Sequence, residues 1–127
     1  MSNDGASPEL AGAIDVIEET YEYMLAYAAQ GRVDDTDTSS AGIRAYLERS
    51  DQALAVIASA ELSGDAARKF LEVMRQDAAR ASAAIRLVLA RPAISSQVID
   101  NLNASVHLRT LLTDIFLLDE TLGITPS

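Results

Sequence analysis

The chain has 127 residues, no cysteine, one histidine and a formal net charge of −9. That length supports one domain with its own core, and the missing cysteines exclude disulfides, thiolate nucleophiles and Cys-ligated metal. The negative balance argues against nucleic-acid binding through phosphate contacts, and no apolar run reaches the roughly 18 residues needed to span a bilayer.

The charge is unevenly placed. Residues 1–38 hold nine acids and one arginine (net −8), whereas residues 39–127 hold ten acids and nine bases (net −1). The bases are nine arginines and Lys69, a usage that fits GC-rich bacterial coding. MSNDGASPEL has neither the basic nor the apolar region of a signal peptide, so a cytoplasmic protein with a disordered leader over 1–7 is expected.

The first helix is predicted from Pro8 to Gln30, with Ser7 as cap, Pro8 at the first helical position and Gly31 as terminator. Leu10, Ala13, Ile14, Ile17, Tyr21, Met24 and Ala28 form its core stripe. Asp15, Glu18, Glu19 and Glu22 occupy the opposite face without a nearby base. Val16, Thr20, Tyr23 and Tyr27 run between the two faces. Tyrosine is enriched at interfaces and an acidic face steers basic partners. Glu19, Glu22, Tyr23 and Tyr27 are therefore the expected partner-binding residues.

RVDDTDTSS reads as an exposed loop. The second helix is expected from Ser39 or Ser40 to Leu62, with Ile43, Tyr46, Leu47, Ser50, Leu54 and Ile57 inward. Ser63-Gly64-Asp65 is a tight turn into a third helix over Ala66–Ala90. Its stripe is Ala67, Phe70, Leu71, Met74, Ala78, Ala81, Ile85 and Val88. The small residues at its middle allow either close packing or a mid-bundle ligand hollow lined by Ser50, Ala78, Ala81, Ser82 and Ser105. Asp77 and Arg80 have the spacing of a local ion pair.

The longest apolar segment, Ile99–Gly123, reads as one helix introduced by Ser95 as N-cap, with Ile94 stapled on Ile99. Ala104, Leu108, Leu111, Ile115, Leu118 and Leu122 form its stripe. The apolar arc beyond residue 111 is wider than one neighbour covers, so Leu112, Phe116 and Leu118 are the expected homodimer interface. His107 lies on the border of this stripe. Asp100 and Asp114 are expected on its face, where they would favour the imidazolium.

Ser105-Val106-His107-Leu108-Arg109-Thr110-Leu111-Leu112-Thr113 resembles the phosphoacceptor helix of sensor histidine kinases at Ser105, Leu108, Arg109, Thr110, Leu112 and Thr113. Val106 stands where that family carries the acceptor histidine, and His107 where it carries an acid. One residue turns a helical side chain by about 100°, so the resemblance implies a dimerisation module without phosphotransfer.

No Glu-x-x-His motif, nucleophile–base pair or phosphate loop is present, so neither metal, cofactor nor enzymatic activity is expected. The expected architecture is all-α, an up-down-up-down antiparallel four-helix bundle over 8–123, with a flexible tail over 124–127. The expected function is that of an adaptor, small chaperone or regulator binding a basic or amphipathic segment of another protein. Small acidic all-helical cargo chaperones of bacterial secretion systems have a similar general profile. The alternative is a small-molecule-binding bundle.

Overall fold

A computed structural model describes residues 8–36 and 42–122. The leader over 1–7, the expected starts of the second helix at Ser39 or Ser40, and the tail over 124–127 lie outside them. The described residues form five α-helices and no strand: α1 (Pro8–Ala28), α2 (Ile43–Ala58), α3 (Asp65–Leu89), α4 (Ser96–Ala104) and α5 (His107–Leu122). Helix α1 packs on α2, α2 on α3, α3 on α5, and α5 back on α1, while α4 bridges α1, α3 and α5. No helix among the described residues is long and apolar enough to cross a membrane.

The apolar stripes build the core. Ile17, Met24, Leu47, Leu54, Ile57, Leu71, Ile85, Ile99 and Leu111 are almost completely buried. Side chains repeating every three or four positions fall on one face of a helix, and each stripe is buried against its neighbours. Gly64, at φ 98°, provides the left-handed step between α2 and α3. Helix α2 ends four residues before the expected Leu62. There the Arg75 guanidinium donates to the carbonyls of Ala58 (2.8 Å) and Ala60 (2.9 Å), satisfying groups the continued helix would have used.

The largest departure from expectation concerns the final helix. Ser95 does cap, its hydroxyl accepting from the Val98 N–H at 3.1 Å. The helix then stops at Ala104, and a new one starts at His107. Between them Val106 adopts φ 58°, the left-handed region that a β-branched side chain strongly disfavours. The bend turns Ala104 outward, while Leu108, Leu111, Ile115 and Leu118 stay buried. The four-helix count is thus replaced by five. The stretch resembling a phosphoacceptor helix spans the break and is not one helix.

The connection after α1 is also more engaged than an exposed loop. Asp35 is buried, accepting from the Ile94 N–H (2.9 Å) and from Arg44 Nε (3.1 Å). Arg44 also donates to the carbonyls of Leu89 (2.9 Å) and Arg91 (3.0 Å). Ser96 exchanges hydrogen bonds with Arg32 and donates to the Tyr27 carbonyl at 2.6 Å. The α1–α2 connection is therefore tied to the α3–α4 connection by a buried polar network.

Candidate functional site

Tyr27 belongs to that network rather than to a surface. It is 1% exposed, and its hydroxyl donates to the Ile94 carbonyl at 2.7 Å. Burial pushes its phenol pKa up, with Arg32 opposing and Asp35 adding to the shift. Tyr23 is half-buried and stacks on Tyr46 of α2, ring centroids 4.1 Å apart. Arg49 covers the other partner of that stack, 4.8 Å from the Tyr46 ring. The tyrosine strip is thus the α1–α2 seam. Tyr27 is corrected from docking residue to structural residue, because its apolar ring and polar tip both find partners inside. Glu19 and Glu22 are exposed.

The proposed dimer patch is corrected in the same way. Leu112 and Leu118 are buried within one chain, since α5 packs against both α3 and α1. Only Phe116 (50%) and its neighbour Leu117 (51%) remain substantially exposed there.

Phe116 borders a cleft of about 350 Å³ between α1 and α5. Its apolar lining is Ala11, Ile14, Ile115 and Phe116, and its polar lining is Asp15, Glu18 and Asp119. The Glu18 carboxyl is pushed above its ordinary range, first by burial and then by the charges of Asp15 and Glu22. Helix α1 carries five acids and no base from Pro8 to Ala28, so nothing on that helix offsets the field. An apolar trough with an acidic rim can seat a segment that is apolar on one face and cationic beside it.

Ser50, Ala78 and Ala81, expected to line a mid-bundle hollow, are fully buried, and none of them lines the α1–α5 cleft. Ser50 Oγ is buried without a hydrogen-bond partner among the described residues. Ser82 donates to Asp51 at 2.5 Å, and Arg86 donates to the other oxygen of the same carboxylate at 2.9 Å. Ser105 lies elsewhere, at the end of α4, donating to the Leu102 carbonyl at 2.6 Å.

Two carboxyl groups meet where the sequence showed no pair. Asp114 on α5 is buried beside Asp77 on α3, and its Oδ2 has no hydrogen-bond partner among the described residues. Its pKa is raised to about 7, by burial first, then by the neighbouring Asp77 carboxyl and its charge. Arg80 pairs with Asp77 at 2.9 Å, as the spacing implied. The signal was weak because Asp77 and Asp114 lie on different helices, and only the packing of α3 against α5 brings them together. Asp114 therefore does not serve His107, which lines a different cavity with Arg91 and Asn101. Among the described residues no group of three or more histidines and acids is placed to hold a metal ion.

No protein-family model, curated protein or solved structure matches this chain.

Proposed function

We propose that the protein is a non-enzymatic interaction module that binds a basic amphipathic helix of another protein in the α1–α5 cleft. The observation that carries this reading is the pairing of a half-exposed Phe116 with the acids of α1, Asp15 and Glu18, around one trough that Asp119 also lines. The partner's apolar face covers Ala11, Ile14 and Phe116, and its Lys or Arg residues lie against the acidic rim. Glu19 and Glu22 extend the same negative field along α1 and speed encounter. In this reading α1, α2, α3 and α5 are the four walls of an antiparallel bundle, with α4 as a short strut. Such a module acts as a cytoplasmic adaptor, small chaperone or regulator.

The test is titration with a synthetic Lys/Leu amphipathic helix, followed by calorimetry. Binding should weaken steeply with salt, as contacts between exposed charges do. Phe116→Ser should reduce affinity about tenfold or more, the scale of losing one apolar anchor. Gln at both Glu48 and Glu61, exposed acids outside the cleft, should leave binding unchanged. Equal binding by wild type and Phe116→Ser would show general charge attraction and end the proposal.

A further inference from the structure

The C-terminal half of α3, the outer face of α4 and the start of α5 enclose a second groove, of about 520 Å³, within the range of small-molecule sites. Its walls are apolar: Ala84, Leu87 and Val88 from α3 face Val98 and Leu102 from α4. Leu87 is 74% exposed, a large apolar side chain left without cover. The polar groups are few: Arg91 after the end of α3, Asn101 on α4, and Ser105 and His107 after it.

We propose that this groove binds a small amphiphilic carboxylate, with its hydrocarbon body against Leu87, Val88 and Val98 and its carboxylate on Arg91. Charge selects this class. Among the described residues, Arg91 is the one formally charged side chain lining the groove. Its Nε donates to the Ala93 carbonyl at 3.1 Å, which fixes the guanidinium and leaves both terminal nitrogens available for a bidentate contact. A cationic headgroup would meet Arg91 with like charge. A polyanion would be repelled by a chain of net charge −9, whereas one carboxylate meets chiefly the local arginine.

The start of α5 also borders the groove. His107 is both its first residue and a lining residue, and the preceding Val106 has no side-chain acceptor to cap the free N–H groups of that turn. The left-handed Val106 thus sits where α4 and α5 part, between the lining residues Ser105 and His107. This inference uses none of the α1–α5 cleft residues and stands independently of the reading given for them.

His107 is the only histidine, so its imidazole proton resonances report on the groove without assignment ambiguity. Octanoate is titrated against the full chain and those resonances followed by NMR. Octyltrimethylammonium serves as the control with the same tail and opposite charge. A saturable His107 shift with octanoate, absent with the cation, is expected. Arg91→Gln should weaken it about tenfold or more, as the loss of a charge-assisted hydrogen bond does. Leu87→Asp should abolish it, and both positions are exposed, so the variants should keep the wild-type circular dichroism. Three results would overturn the proposal: no saturable shift, equal response to the cation, or unchanged binding in Arg91→Gln. A His107 shift that follows protein concentration together with a doubling of mass would do so too, by showing that a second copy fills the groove.

Discussion

Tyr27 and Asp114 are polar groups that the packing takes inside, and each fixes a measurable quantity. The Tyr27 hydroxyl reaches the carbonyl of Ile94, 67 positions away. Tyr27→Phe keeps the ring and leaves that buried carbonyl without its donor, so urea denaturation should show a loss of about 1–3 kcal/mol. A change near zero would mean that water replaces the hydroxyl. Asp114 titrates in the opposite sense to Asp35. Burial raises the Asp35 carboxyl, but the Ile94 N–H and Arg44 outweigh it and hold the group below its ordinary value of 3.8. Its stabilisation is present above that value and is lost as pH falls through the lowered pKa. Asp114, raised to about 7, contributes stability that is complete below 3.8 and is lost as pH rises through about 7. Asp114→Asn places a donor beside Asp77 without the titration. It should therefore stabilise the protein by roughly 1–2 kcal/mol at pH 8, with less gain at pH 5, a range discounted for solvent access to the pair. Melting curves at the two pH values check this, and an equal effect at both would refute the raised Asp114 pKa.

At the level of helices, the break at Val106 shows what patterning can and cannot reveal. Gly31, Gly64 and Pro92 mark the end of α1 and the two ends of α3 with residues whose backbone preferences are local, and these were legible within about two residues, whereas α2 stops at Ala58, short of the expected Leu62. Ser105-Val106 contains neither glycine nor proline, and the three-and-four spacing runs formally from Ala104 to Leu122, so the sequence reads as one helix. The α1–α2 connection hid its role for a different reason. Asp34-Asp35 is ordinary loop chemistry, and only the approach of Ile94 and Arg44 makes Asp35 a buried hub. The stripes of α1, α2 and α3 were readable because burial imposes periodicity. The Asp77–Asp114 pair and the two clefts depend on which helices become neighbours, which periodicity does not encode. Val106 also supplies a prediction. A valine held at φ 58° costs about 1–2 kcal/mol, so Val106→Gly should be neutral to stabilising by up to ~1 kcal/mol after the entropy of the added glycine. Val106→Pro, whose ring fixes φ near −65°, should destabilise. If glycine cost as much as proline, the Val106 side chain would be needed for packing and the strain argument would fall.

For the molecule as a whole, the deciding feature is the separation of charge from apolar surface. Helix α1 carries five acids and no base, and α5 exposes Phe116 at the cleft beside it. Any partner that covers Phe116 must also come close to the acids of α1. A basic segment gains from that proximity, while a second copy of the chain brings its own acidic α1 and is opposed by it. The two kinds of association therefore respond to salt with opposite sign. Screening shortens the reach of exposed charges from about 30 Å at 0.01 M to 3 Å at 1 M. Basic-peptide binding should weaken across that range, and self-association through Phe116 should strengthen. Light scattering over the same salt series is expected to show a monomer at low salt. Any dimer should emerge as salt rises and disappear in Phe116→Glu. A dimer that persists at low salt and survives Phe116→Glu would place the self-contact away from Phe116, because Leu112 and Leu118 are already enclosed within the chain. The α1–α5 cleft would then remain free for the basic partner.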